Sequence, residues 1–214
     1  MKHKIEKNTV QETLILPLYS RKLCTELYPN LYQDETAVRL IDEIDYDFSE
    51  AEKNSRSLMQ RFGALEVAMR QNDLAWEVRD YLKTHPGAAV FFASGVFYYF
   101  LTQQVKALVR GMADAFPGGV LVFDAANRTA VKMIAKTWLR TAKIKDVGAY
   151  FAVSDAPKEI GEWDNRLQVT SRGYMLGYND LRDPSVSGFF RFLARVGDNG
   201  MKMQIVKIRF GGKA

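Results

Sequence analysis

The side chain best placed for chemistry in this sequence is Asp124, which ends the apolar run Val120-Leu121-Val122-Phe123. Ligands of open α/β sheets bind at the carboxyl ends of the strands, so a carboxylate at this position could contact a substrate. It could equally cap a helix that begins near Arg128. No metal site is expected, because His3 and His85 lie far apart and no Cys/Asp cluster accompanies them at ligand spacing.

A basic stripe is the second feature that could bind a ligand. Arg128, Lys132, Lys136 and Arg140 recur at a spacing of four, and Lys143 and Lys145 follow them with no acidic residue between. This spacing places the first four on one side of a helix. The stripe is either an ordinary solvated face or a surface that attracts an acidic ligand. No aromatic residue interleaves it as a stacking platform, so nucleic acid is not an expected partner.

The composition indicates a globular protein. The 214 residues are 47% hydrophobic and 26% charged, with a net charge of +5, which excludes a disordered or collagen-like chain. The length suits one domain, or one with a helical annex. The single cysteine, Cys24, excludes an internal disulfide and suits a reducing compartment, and we expect it to be an inert thiol. No apolar run could span a membrane and the first residues lack a signal-peptide core, so we expect a cytoplasmic protein.

The first third of the chain is predicted to be helical. Asp34 can cap a helix with its apolar side at Ala37, Val38, Leu40, Ile41 and Ile44. A longer helix is predicted over residues 64–82, and His85-Pro86-Gly87 should end it, because proline cannot continue the backbone hydrogen bonds.

After this point the pattern changes to strands alternating with helices. Ala88–Ala93 reads as a buried strand, a helix with Val105, Leu108, Val109, Met112 and Phe116 on one side follows, and Val120–Asp124 is a second buried strand. This order predicts a right-handed parallel crossover. Strands are also predicted over residues 166–176 and 201–210, with a helix near residues 186–194 between them. We therefore predict an α/β fold with a helical N-terminal cap region (1–86) and an α/β core (87–214) that form one compact domain.

Two stretches carry a family resemblance. The first is ETLILPLYSR at residues 12–21, followed by DETAVRLIDEIDYDF at 34–48, and the second is ASGVFYYF at 93–100, followed by a helix and the strand that ends at Asp124. Together they resemble the leucine carboxyl methyltransferase superfamily, in its bacterial branch similar to polyketide-biosynthesis O-methyltransferases. The resemblance covers nearly the whole chain. It implies a class I methyltransferase (Rossmann-like) sheet with helices on both faces, S-adenosylmethionine as methyl donor and a small-molecule methyl acceptor.

The resemblance also implies site residues. Arg21 and Arg70 match the two basic residues that hold the donor's carboxylate, which a guanidinium can grip with two parallel hydrogen bonds. Ser94 and Gly95 end the segment that matches the family's fourth strand and are assigned to the donor. Tyr99 matches the family tyrosine after that strand and could line the substrate or the donor pocket. Asp124 is the substrate candidate because of its place at a strand end. Each arginine could otherwise be a solvated helical residue, and the aromatic run at 97–100 could be ordinary core. Some family members carry Glu at the Ser94 position, so no catalytic residue is assigned.

The chain departs from the family where the donor should bind. In the family, the segment after the His-Pro pair forms a first strand and a glycine-rich loop, and an acid at the end of the second strand holds the ribose. Here, residues 85–89 lead directly into the strand that matches the family's fourth, and about two βα units of about 30 residues each are absent. The adenosine then has no cradle, because a close backbone approach needs glycine.

The same departure predicts an unprotected sheet edge. The strand at Ala88–Ala93 would lose the neighbour that covers it in the family, and an apolar edge invites pairing with another chain. We therefore expect a homodimer or strand exchange at Ala88–Ala93. Two hypotheses follow for function: an S-adenosylmethionine-dependent O-methyltransferase acting on a hydroxyl or carboxylate oxygen, or a donor-binding-defective homologue that serves as a non-catalytic or oligomerising module.

Overall fold

The computed structural model describes residues 2–5, 10–134, 136 and 148–211. Its first half is helical, as predicted, with α1 (Val10–Leu27), α2 (Glu35–Glu43), α3 (Ser49–Asn54) and α4 (Leu58–Thr84). Two short strands, β1 (His3–Lys4) and β2 (Ile44–Asp45), pair in parallel beside them. The long helix predicted over residues 64–82 is confirmed and extends further at both ends.

Local side-chain chemistry sets where these helices begin and end. The predicted cap of α2 is confirmed, because the Asp34 carboxylate accepts a hydrogen bond from the Ala37 amide at 2.8 Å. Ser57 caps α4 in the same way through the Gln60 amide. Ile44, which was expected on the apolar side of α2, has extended backbone angles and lies in β2 instead.

A four-stranded mixed sheet forms the second half. Its strands are β3 (Val90–Ala93), β4 (Val120–Ala125), β5 (Leu167–Gly173) and β6 (Gln204–Phe210), in the order β3-β4-β6-β5. The predicted parallel pairing of β3 with β4 is confirmed, and the two are connected through a 3-10 turn (Phe97–Tyr99) and α5 (Thr102–Ala115). Strand β6 runs antiparallel to both of its neighbours. The fold is therefore α/β.

Helices pack on both faces of this sheet. Successive side chains of β4 point to opposite faces. Val120 and Val122 pack in the cluster that includes α1 and α4, whereas Leu121 and Phe123 pack in the cluster that includes α5 and α7 (Ala156–Gly161). Helix α4 contacts β3, β4 and β6, so the helical segment and the sheet share one of the two cores.

The remaining elements lie close to their predicted places. Helix α6 is Arg128–Ile134, and positions 135 and 137–140 of the predicted basic helix lie outside the described residues. Helix α8 is Gly188–Arg195, which a π-helical turn (Val196–Gly200) extends. Strand β5 stops at Gly173, short of the predicted residue 176, because the chain turns there and Met175 has a φ of 96°. None of the helices in the described ranges is long and apolar enough to cross a membrane.

Strand β3 lies at the edge of the sheet, and this changes its burial. It pairs with β4 on one side, and no strand of the described residues pairs with its other side. Phe92 is consequently 46% exposed, so the prediction that this strand is fully buried is wrong. The position of β3 agrees with the expectation that it forms an edge of the sheet. Leu108 of α5 and Phe116, which follows the end of that helix, are also exposed, because the buried stripe of α5 is Val105, Val109 and Ala113.

Candidate functional site

Asp124 lies buried at the carboxyl end of β4, beside the end of β3. Its side chain is fully buried, and both of its oxygens have partners: Oδ1 accepts a hydrogen bond from the Gly95 amide at 2.6 Å, and Oδ2 is 3.3 Å from Nη1 of Arg70. It does not cap the following helix. That role belongs to Asn127, whose side chain accepts from the Ala130 amide.

Arg70 reaches this site from the middle of α4. Its side chain is about one-fifth exposed, and its Nε atom is buried without a hydrogen-bond partner among the described residues. Desolvation alone would lower the pKa of this guanidinium. The charge of Asp124 and the neighbouring Tyr174, Tyr98 and Glu66 raise it above its ordinary value instead. Arg70 is therefore a permanent cation inside the protein.

A shell of polar groups surrounds the Arg70–Asp124 pair. The Tyr174 hydroxyl donates to Oε1 of Glu66 at 3.2 Å, and Tyr98 is almost fully buried. Burial raises the pKa of Glu66, and the positive charge of Arg70 partly offsets this. Burial also raises the pKa of both tyrosines well above 10, so they remain neutral hydrogen-bond donors. The site is a mostly buried group of polar side chains around one cation.

Of the residues predicted to bind the donor and the substrate, Arg70, Gly95 and Asp124 are brought together here. Gly95 has a φ of +67°, a backbone conformation that glycine adopts without strain, and this conformation turns its amide toward Asp124. Ser94 precedes it directly and has no hydrogen-bond partner in the described part of the chain. Tyr99 ends the 3-10 turn with 43% of its surface exposed, while Phe97 and Tyr98 in the same turn are buried. The aromatic run is thus part core and part surface.

Arg21 is engaged elsewhere. Its Nε donates to Oδ2 of Asp34 at 2.8 Å, its Nη2 also contacts that oxygen, and its Nε lies 3.3 Å from the Tyr32 hydroxyl. Asp34 in turn caps α2, so this ion pair ties α1 to the start of α2. No hydrogen bond or ion pair joins Arg21 to Arg70 or Asp124 in the ranges that the structure describes.

A second pair of acids, Asp73 on α4 and the half-buried Asp198 in the π-helical turn after α8, was not anticipated from the sequence. Asp73 accepts hydrogen bonds from the Met175 amide and the Asn179 side chain. Burial, together with the charge of Asp198, raises the pKa of Asp73 to about 8. Burial also raises the pKa of Asp198 to about 7, although hydrogen bonds from two backbone amides oppose the change.

Glu77 completes the buried polar side of α4. It accepts from the Tyr178 hydroxyl at 2.8 Å and pairs with Lys207 of β6 at 2.6 Å. Together with Glu66, Arg70 and Asp73 it follows an i, i+4, i+7, i+11 spacing along one helix. That spacing was visible in the sequence and could have identified a polar stripe facing the core.

The basic stripe, potential metal ligands and cavities were the other places where a ligand could bind. Arg128, Lys132 and Lys136 are exposed, as a solvated face requires, and the rest of the basic stripe (Arg140, Lys143 and Lys145) lies outside the described residues. No group of three or more potential metal ligands occurs in the described ranges. Two cavities, of about 650 and 390 Å³, lie away from Asp124, the first beside α8 and the second beside β5 and α7.

S-adenosylmethionine fits this site only at one end. The guanidinium of Arg70 has a chemistry that suits the amino-acid carboxylate of the donor, although it is already paired with Asp124. The described residues contain no glycine-rich loop that could bind the nucleoside. Among them, Gly95 and Gly118 are the two glycines with positive φ, and Gly118 lies in the turn before β4, at the opposite end of that strand from Asp124.

Comparison with known proteins assigns no family to the chain. Family models, curated proteins and solved structures were all searched, and none of them gave a match.

Proposed function

We propose that this chain is a methyltransferase-related protein that does not bind the methyl donor by itself and acts as a non-catalytic, dimerising module. The observation that carries the proposal is the Arg70–Asp124 pair. The two charged groups that a donor or substrate would use pair with each other through Nη1 of Arg70 and Oδ2 of Asp124, so a ligand would have to compete with a mostly buried ion pair.

The sheet supports the relationship to class I methyltransferases. A parallel β3–β4 pair with an intervening helix, helices on both faces and a carboxylate at the end of β4 agree with the Rossmann-like sheet that the resemblance implies. The connection between α4 and β3 supports the loss of donor binding. It is five residues long, so no glycine-rich loop precedes β3.

The exposed edge of β3 supports dimerisation with a second copy of this chain. Residues 86–105 contain no Asp, Glu, Lys or Arg, although 26% of the whole chain is charged. Native edge strands usually carry charges that prevent pairing, and none is present here. Two copies of β3 can pair in an isologous, antiparallel arrangement, which satisfies the free backbone groups of both and joins the two sheets.

Sedimentation of the purified protein tests the dimer. We expect a dimer for the unmodified chain and a monomer for Phe92→Lys, because a lysine on an edge strand opposes pairing with another strand. Met59→Lys is the matched control, since Met59 is a more exposed apolar residue far along the chain on α4. A monomer at every accessible concentration, or a dimer that Phe92→Lys leaves intact, would overturn this part of the proposal.

An active O-methyltransferase is the second candidate, and the convergence of Arg70, Gly95 and Asp124 at the carboxyl ends of two parallel strands favours it. Calorimetry separates the two functions. Micromolar binding of S-adenosylmethionine or S-adenosylhomocysteine that Arg70→Met abolishes would establish a donor site. The absence of heat with the folded protein supports the non-catalytic module.

A further inference from the structure

An open cavity of about 650 Å³ lies between α8 and the loop that follows β5, and its lining is strongly basic. Arg182, Arg191 and Arg195 contribute to it, and Asp180 is the one acidic residue in its lining. The volume falls within the range of small-molecule sites. Three guanidinium groups against one carboxylate give the cavity a net positive charge and favour an anionic ligand.

Two of these guanidinium groups are available to a ligand. Arg195 has no ion-pair or hydrogen-bond partner in the described part of the chain. The Nε atom of Arg182 is 3.5 Å from Asp180, but both side chains are largely exposed, so water screens that pair. Their charges are therefore not neutralised within the protein.

The third guanidinium is held in place. Nη1 of Arg191 donates to the backbone carbonyls of Val186 at 2.7 Å and Leu181 at 3.4 Å. These hydrogen bonds, made by one nitrogen of the guanidinium, fix the side chain at the start of α8, where Arg191 lines the cavity. A fixed arginine loses little conformational entropy when it binds an anion.

An aromatic side chain completes the site. Phe192 lines the same cavity, 57% exposed, one turn before Arg195 on α8. An exposed aromatic ring beside several guanidinium groups suits a ligand that has an apolar ring next to its charge. Leu176 adds a second apolar contact to the lining.

We propose that this cavity binds a small phosphate ester that carries an aromatic group. A phosphate monoester has nearly two negative charges at pH 7, which match the net charge of the lining, and its oxygens accept the parallel hydrogen bonds that arginine donates. Phe192 contacts the aromatic part. This site is separate from Arg70 and Asp124, and the proposal does not depend on the function proposed above.

Calorimetric titration with phenyl phosphate, inorganic phosphate and phenol tests the proposal at low salt. We expect phenyl phosphate to bind more tightly than phosphate, phenol not to bind, and added salt to weaken both phosphate ligands. Arg195→Gln and Arg182→Gln should each weaken phenyl phosphate by about fivefold. Phe192→Ala should weaken phenyl phosphate and leave inorganic phosphate unchanged. Arg191 is left intact, because its loss would free two loop carbonyls.

Arg39→Gln is the matched control, since Arg39 is an exposed arginine on α2, outside the cavity lining. Circular dichroism confirms that each variant is folded. The proposal is overturned if Arg195→Gln binds as tightly as Arg39→Gln, or if phenyl phosphate binds no better than inorganic phosphate. Binding to phosphatidic acid vesicles without any binding of phenyl phosphate would also overturn it and would assign the patch to a lipid surface.

Discussion

Arg70 and Asp124 are 54 residues apart in the chain, yet Nη1 of the arginine lies 3.3 Å from Oδ2 of the aspartate, whose side chain is fully buried. The pair links the middle of α4 to the end of β4, and the Gly95 amide holds the other carboxylate oxygen in place. One contact thus joins the helical segment to the sheet at the carboxyl ends of the strands, where α/β proteins bind ligands.

Removing one charge of this pair should destabilise the protein strongly. Asp124→Asn leaves the Arg70 guanidinium as a mostly buried cation without its partner, and we expect the free energy of unfolding to fall by about 3 kcal/mol. Urea denaturation measures the change. Asp80→Asn is the control, because the Asp80–Lys83 pair is exposed and should contribute a few tenths of a kcal/mol at most. Equal effects of the two substitutions would contradict a structural role for the buried pair.

Two glycines should respond to alanine with opposite signs. Gly95 has a φ of +67°, so Gly95→Ala should lower the free energy of unfolding by about 1 kcal/mol through backbone strain. A methyl group there would meet no atom closer than 3.8 Å, so steric overlap adds nothing. Gly111 lies inside α5 with open space around it, and Gly111→Ala should stabilise the protein by about 0.5–1 kcal/mol. The same sign for both would show that the backbone conformation at Gly95 is not what the structure indicates.

The buried acids predict a loss of stability with rising pH. Burial holds the pKa of Asp73 at about 8 and that of Asp198 at about 7, against 3.8 for an ordinary aspartate. The folded state therefore binds more protons than the unfolded state, so the contribution of these groups is complete below pH 4 and declines up to about pH 8. Between pH 6 and 8, the Asp73 carboxyl alone should lower the free energy of unfolding by roughly 2 kcal/mol.

Asp73→Asn tests this assignment, because an amide resembles the protonated acid and cannot lose a proton. Urea denaturation at several pH values should give a flatter profile for Asp73→Asn than for the unmodified chain. Asp42→Asn, on the exposed side of α2, should keep the original slope. A slope that Asp73→Asn leaves unchanged would rule out this carboxyl as its source.

The single cysteine should be unreactive in the folded protein. Cys24 is completely buried in the core, and burial raises the pKa of its thiol to about 12, so almost no thiolate exists at neutral pH. We expect an aromatic disulfide reagent to label it only as fast as the protein unfolds, with full labelling in concentrated urea. Rapid stoichiometric labelling in native buffer would show that this part of the core opens.

Short-range features of the sequence were sufficient to predict most of the secondary structure. Asp34 as a helix cap, His85-Pro86 as a helix end and the apolar runs at β3 and β4 depend on neighbouring residues, and each was predicted close to its observed place. The parallel order of the two strands followed from the helix between them. Burial at the sheet edge could not be predicted from the apolar run of β3 alone, because it depends on which strands lie beside it.

Tertiary structure alone decided the electrostatics of the candidate site. The sequence placed Asp124 at a strand end and the resemblance singled out both arginines, but neither indicated that Arg70 would pair with Asp124 while Arg21 paired with Asp34. Ion pairs form between groups that folding brings within a few ångströms, and removal from water then sets their strength and their pKa values. The sequence therefore identified the charged residues that could form a site, whereas their ion-pair partners depended on how α4 packs across the sheet.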